Sequence, residues 1–259
     1  MDSKKILIVS RTIYPYNSPR SHRATELAKE LARQGHDVTL YGVLGSYNYE
    51  KFESEFGLKV RPITGMRFST LSSDGSKRLS ILTKIGAKLF NNILEFPDIE
   101  LAFKMKRIIK SERNTDLIIS VAVPYPIHWG LAWSRSKFSS IFPKIWVADC
   151  GDPYMGNKFK RRPFYFKYIE KWFCEECDYI TVPVEEAKAG YYSEFKDKIK
   201  VIPQGFNLNE VNIPEFRNEN TCISFIYAGT FYEGIRDPTA LLEHLSNLEI
   251  PFIFKVFTK

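Results

Sequence analysis

An α/β fold built on a doubly wound parallel sheet is the architecture this sequence predicts, and three observations carry that prediction. Residues 6–9 (Ile-Leu-Ile-Val) form a short, mostly β-branched run between Lys4-Lys5 and Ser10, the pattern of a strand buried on both faces. Beyond a loop rich in Pro and Tyr, Ala24, Leu27, Ala28, Leu31 and Ala32 recur at the spacing of a helix with one buried face, and Gly35 stops it. A second strand resumes at 37–41, so the unit reads strand, helix, strand, which chain chirality makes a right-handed crossover in a parallel sheet. The same alternation runs on through the chain, giving a Rossmann-like domain followed by an incomplete second one.

The remaining elements follow in order. Residues 50–55 are polar and read as a connection to a third strand at 58–63, and 65–77, with its Ser, Thr, Gly and Asp, reads as a loop. Two basic, amphipathic helices follow at 77–96 and 98–112, separated by Pro97. A buried strand at 116–121 leads through the Pro-rich turn 122–126 into a helix at 127–137, and a fifth strand occupies 144–148. Strands at 178–183 and 198–203 flank a helix at 184–195. The chain then turns polar over 208–220, which reads as an interdomain linker. Beyond it come a strand at 222–227, a helix at 239–248 and a strand at 250–258.

The chain has 259 residues, 44% of them hydrophobic and 26% charged, which is ordinary globular composition and room for one large domain and part of another. Lys and Arg outnumber Asp and Glu by 37 to 30, a net charge of +7, and this favours an anionic partner. No run approaches the ~20 apolar residues of a membrane span, and residues 6–9 are too short for the core of a signal peptide. A soluble, cytoplasmic protein is expected. Cys174 and Cys177 fall late in a helical pattern with no second pair or His cluster to complete a tetrahedral site, so they read as buried helix residues and no metal is expected.

Residues 156–171 interleave Lys and Arg with Phe and Tyr, but nothing matches an RRM, KH or helix-turn-helix pattern, so nucleic acid is not an expected partner. An anionic membrane surface is, through the basic segments 77–112 and 156–171. The alternative is an apolar stripe packed on the sheet with solvated lysines.

Arg11 to Arg23 contains no glycine and the second strand ends without an acidic residue, which argues against a dinucleotide cofactor. In doubly wound sheets ligands sit beyond the carboxyl ends of strands. The Pro-rich turn with nearby His128 is placed to line such a cleft. So is Asp149-Cys150-Gly151-Asp152-Pro153-Tyr154, where a rigid turn sets two carboxylates at a strand end, unless Asp there simply caps the turn.

Several stretches resemble, in the right order, the GT-B glycosyltransferases and particularly the retaining family 4 enzymes. They are 27–38 (LAKELARQGHDV), the turn 149–154 with the strand end 120–128, the pieces YITVP and KVIPQGFN at 179–183 and 200–207, and the loop AGTFYEGIRDP at 228–238. Departures are visible too. Val121 or Ala122 stands where the family commonly carries a histidine, Gly151 and Tyr154 replace the Arg and Trp of its D-x-R-D-P-W turn, and Gln204 and Asn207 replace Asn and Asp.

The resemblance implies an acceptor-binding GT-B N-terminal domain at 1–207, the linker at 208–220 and the truncated start of a nucleotide-sugar domain at 221–259. Its implied reaction moves a sugar from a nucleoside diphosphate sugar to a glycan or lipid-linked acceptor with retention, in surface polysaccharide or glycolipid synthesis. No cofactor and no metal are implied, and the chain alone, lacking the family's later donor-site Glu pair, is expected to be inactive. His128 and Asp152 are the catalytic candidates, His128 filling the place of the family histidine, while Arg20, His22, Arg23 and Asp149 are the acceptor-binding ones. On the donor side Gly229 allows close backbone approach, Thr230 offers a hydroxyl and Arg236 a charge. Two alternatives stand beside this reading: a non-catalytic α/β binding domain and a nucleotide-sugar epimerase sharing the two-domain plan.

Overall fold

The computed structural model describes residues 2–67, 90–157, 162–205, 222–232, 234 and 236–258. The chain divides into two compact units, Met1–Asn207 and Leu208–Lys259. The linker at 208–220, residues 77–89 of the first basic segment and 158–161 of the second lie outside the described residues.

The first unit holds β1 (Lys5–Ser10), β2 (Asp37–Gly42), β3 (Lys59–Pro62), β4 (Leu117–Ala122), β5 (Ile145–Cys150), β6 (Tyr179–Val182) and β7 (Ile199–Val201). They form one seven-stranded sheet in the order β3-β2-β1-β4-β5-β6-β7, and every pairing is parallel. The order reverses between β1 and β4, which pair Ile6 with Leu117 through Ser10 with Val121. That reversal opens a crevice at the carboxyl ends of the two strands, where ligands of such sheets bind.

Alternation along the strands sends side chains to two separate cores. Ile6, Ile8, Val38, Leu40, Ile119 and Val121 pack on one face with Ala24 and Ala28 of α1 (Pro19–Arg33) and Phe52 of α2 (Glu50–Phe56). Leu7, Val9, Ile118 and Ala122 face the other way, against α3 (Ile99–Ser111), α4 (Pro126–Lys137) and α5 (Phe166–Glu176). Cys174 and Cys177 belong to this second core. Helices therefore cover both faces, as the continuous apolar strands require.

The structure corrects the sequence reading in two places. Residues 50–56 are a helix and not a plain connection, because Phe52 and Phe56 stand at i, i+4 in an otherwise polar stretch and pack toward α1. The segment read as a helix at 184–195 is two 3-10 turns, Glu185–Gly190 and Ser193–Lys198. Gly190 is lodged where a Cβ would lie 2.6 Å from Pro153 Cβ, so the chain there follows a close contact and carries its weakest helix former.

The second unit contributes β8 (Ile223–Ala228), α6 (Thr239–Ser246) and β9 (Phe252–Phe257). Its two strands pair in parallel, from Ile223 with Phe252 to Ala228 with Phe257.

Candidate functional site

The polar constellation of the first unit is assembled where α1 begins and β5 ends. Ser18 caps α1 by accepting from the Ser21 amide at 3.2 Å, and Pro19 takes a first-turn position where its missing N–H costs nothing. This start places Arg20, His22 and Arg23 on the first turn and a half.

Arg23 reaches Asp149 near the end of β5 with two parallel hydrogen bonds, Nε and Nη2 each 2.5 Å from a carboxylate oxygen. Asp149 also accepts from Thr181 Oγ1 of β6 at 2.6 Å, and Arg23 donates to the Ile202 carbonyl beyond β7 at 3.1 Å. The side chains of Arg23 and Asp149 are only 8% and 3% exposed. The expectation that these two present themselves to a ligand is corrected: their hydrogen-bonding capacity is directed inward, tying α1 to three strands.

Arg20 lies one helical turn before Arg23, and its guanidinium rests directly over Gly151, occupying the space a Cβ there would take. Its Nη2 is 3.5 Å from Asp152 Oδ2, with Asp152 64% exposed and Arg20 20% exposed. Nearby, exposed His22 shares a 3.0 Å hydrogen bond with Asn17 Oδ1, and Gln204 Nε2 donates to the Pro19 carbonyl at 3.4 Å. Of the candidates in the first unit, Arg20, His22 and Asp152 thus remain accessible.

The turn bearing Asp152 is braced from below by residues the sequence reading did not single out. Glu170 of α5, fully buried, accepts from the Tyr154 and Met155 amides at 3.0 and 3.3 Å and from the Tyr192 hydroxyl at 2.9 Å. Burial pushes its carboxyl above the usual range against those hydrogen bonds. Tyr125 donates to the Asp152 carbonyl. Arg162 pairs with Glu95 and lies 3.5 Å over the Tyr154 ring, and Tyr154 donates to Glu95 at 3.1 Å. Burial lowers the Arg162 pKa to about 10. Arg162 and Glu170 were hidden within a run that reads as a basic, aromatic segment facing an anionic membrane surface.

His128 does not line the crevice; it is fully buried in α4. Its Nδ1 is 2.8 Å from Ser120 Oγ and its Nε2 is 3.4 Å from Cys150 Sγ. Trp146 Nε1, which can only donate, gives its proton to Ser120 Oγ at 2.8 Å. Ser120 Oγ thus joins Trp146 and His128 in one buried hydrogen-bonded chain that ends at Cys150. Burial depresses the His128 pKa to about 3, so the ring is neutral, and burial pushes the Cys150 thiol well up. The expected cleft-facing role fails here because the helix starts at Pro126 and its first turn points into the core.

In the second unit Gly229 follows β8 with φ +154°, and its amide donates to Phe257 O at 2.9 Å. The Thr230 carbonyl accepts from the Tyr227 hydroxyl at 3.1 Å. Tyr232 and Arg236 exchange backbone hydrogen bonds of 3.3 and 2.8 Å, a tight turn that leaves the Arg236 side chain exposed. Asp237 then accepts from the Thr239 amide at 3.0 Å at the start of α6.

Among the described residues no group of three His, Cys, Asp or Glu is placed to hold a metal ion, and no helix is long and apolar enough to cross a membrane.

The Glycosyltransferase Family 4 model matches residues 21–210. The chain belongs to that family. Solved structures share the fold of this family 4 chain at low identity. A glycosyltransferase from Rickettsia africae ESF-5 is 15% identical with a TM-score of 0.60, covering 99% of this chain and 60% of that one. The apo form of the lipopolysaccharide outer core galactosyltransferase WaaB is 11% identical with a TM-score of 0.55, covering 97% and 60%. Arabidopsis thaliana UGT89C1, complexed with UDP-L-rhamnose, is 9% identical with a TM-score of 0.57, covering 100% and 69%. The chain thus spans 60% of the length of the first two. No curated protein matches the sequence.

Proposed function

We propose that this family 4 chain is the acceptor-side part of a glycosyltransferase that moves a sugar, with retention, from a nucleoside diphosphate sugar to a hydroxyl of a glycan or lipid-linked acceptor. The observation that carries the reading is the family match over residues 21–210, a span that includes nearly all of α1 and the whole Gly151–Asp152 turn. Such transfer asks a protein to position the acceptor hydroxyl, stabilise the leaving diphosphate and shield an oxocarbenium-like centre.

In this reading Asp152 accepts a hydrogen bond from the acceptor hydroxyl while Arg20 and His22 orient the acceptor. Arg23, Asp149 and His128 act through the backbone as positioning residues. Gly229, Thr230 and Arg236 take the donor diphosphate, with Arg236 supplying charge-assisted hydrogen bonds. The reaction so drawn uses the nucleotide sugar as substrate and needs no further cofactor or metal.

The setting we propose is surface polysaccharide or glycolipid synthesis at the cytoplasmic face of a membrane. Exposed Phe103 and Tyr168 among the lysines of α3 and α5, with exposed Phe164 just before α5, support peripheral attachment. The test is transfer of labelled sugar from nucleoside diphosphate sugars to cell-derived lipid or polysaccharide acceptors by the native protein. Label found only in an epimerised nucleotide sugar, or only as free sugar, would overturn the assignment.

A further inference from the structure

At the outer edge of the sheet, where β3 ends, a cavity of about 170 Å³ lies between β3 and helix α3. Its α3 wall is Lys104, Arg107, Ile108 and Ser111, residues at i, i+3, i+4 and i+7 and therefore one face of the helix. The core-facing stripe of α3 is Leu101, Met105, Ile108 and Ile109, and Lys104 and Arg107 border it at the cavity. The opposite wall brings Arg61 and Thr64, with the Tyr41 phenol of β2 beside them, and no carboxylate lines the space.

Two of the cations are held in place. Lys104 Nζ donates to the Gly65 carbonyl at 2.5 Å and lies 3.6 Å from Glu100, and Arg61 donates to the Val60 carbonyl at 2.8 Å and to Glu53 at 3.2 Å. Arg107 is exposed and has no carboxylate partner among the described residues. Tyr41 adds no negative charge, since burial and then Glu112 push its phenol up to about 12. Lysines at a helix edge are usually just solvated. Against that reading, these cations border a partly open cavity large enough for a phosphate group. Glu100 and Glu53 stand behind Lys104 and Arg61, and Arg107 is the lining cation with no carboxylate beside it among the described residues.

We propose that this cavity binds a phosphate-bearing ligand, either a soluble phosphate or phosphate ester or the headgroup of a phospholipid. The experiment titrates pyrophosphate into the protein at constant ionic strength and follows backbone amide signals by NMR. Saturable shifts at Thr64, Lys104 and Arg107 are expected. Arg107→Gln and Lys104→Gln should each weaken binding about tenfold, the loss of one charge-assisted hydrogen bond, while Lys137→Gln, outside the cavity, leaves it unchanged. Arg107 is exposed, so its variant keeps the fold, which circular dichroism checks. In a second arm phosphatidic acid vesicles compete with pyrophosphate: displacement that depends on Arg107 identifies a lipid headgroup, and continued pyrophosphate binding identifies the soluble source. No saturable binding, or binding that ignores both substitutions, overturns the proposal.

Discussion

Arg23 and Asp149 form a buried, two-pronged ion pair that ties the first turns of α1 to the end of β5, with both Arg23–carboxylate distances at 2.5 Å. The pair sits beside the switch point of the sheet, and the Asp152 turn begins two residues beyond it. A contact of this kind is a weak source of net stability, because desolvation offsets much of the attraction. Its removal is another matter.

Breaking a buried pair by taking one partner leaves the other charged and unpaired. Arg23→Met or Asp149→Leu should each lower unfolding free energy by about 3 to 5 kcal/mol, read by urea denaturation. The double variant should lose less than the sum of the two, since no orphan charge remains. Additive losses would show that the two side chains act independently.

Stability should also carry the signature of His128. Its folded pKa of about 3 lies below the ordinary 6.5 because burial disfavours the charged ring. Between those values the unfolded chain binds a proton that the native state does not, so this contribution is complete above pH 6.5 and is lost as pH falls toward 3. Relative to His128→Asn, wild-type stability should be flat above about pH 7.5 and decline by roughly 1.4 kcal/mol per pH unit below 6.5. Urea denaturation from pH 4.5 to 8 measures it, and a flat difference throughout would mean the ring titrates normally.

The strand-helix frame was legible because the central strands β1 and β4 are continuous apolar runs and the long helices α1 and α3 periodic ones. The site was legible only as far as it depends on chain position. Asp152 stands exposed where a strand-end turn should put it, whereas Asp149, three residues earlier in the same motif, turns inward to meet Arg23, 126 residues away in sequence. Nothing local distinguishes the two carboxylates. His128 shows the same limit, since the partners that seal it are eight and 22 residues away on neighbouring strands. Glu170 reads as one more charge on an amphipathic helix, and only the fold brings the Tyr154 and Met155 amides to it.

Arg236 is exposed on a turn pinned by its own backbone, so its replacement should leave folding untouched. In the proposed reaction Arg236→Ala removes a charge-assisted contact to the donor diphosphate and should weaken nucleoside diphosphate binding about tenfold or more. Calorimetric titration with UDP and GDP checks this. Unchanged donor affinity would sink the assignment of this loop to the diphosphate.

Gly151 and Arg20 form the most specific test of the acceptor side. A Cβ at position 151 would coincide with the Arg20 guanidinium, the far end of a flexible side chain, so Gly151→Ala should swing that group away without disturbing the backbone. Stability should change by no more than roughly 0.5 kcal/mol. In the proposed reaction the displaced cation no longer orients the acceptor beside Asp152, and acceptor KM should rise about tenfold, the worth of one hydrogen bond to a charged group. Arg20→Gln should give the same rise, and the double variant should be no worse than either single one, because both changes remove one interaction. Additive effects on KM would separate the two residues, and an unchanged KM in all three variants would move the acceptor away from this turn.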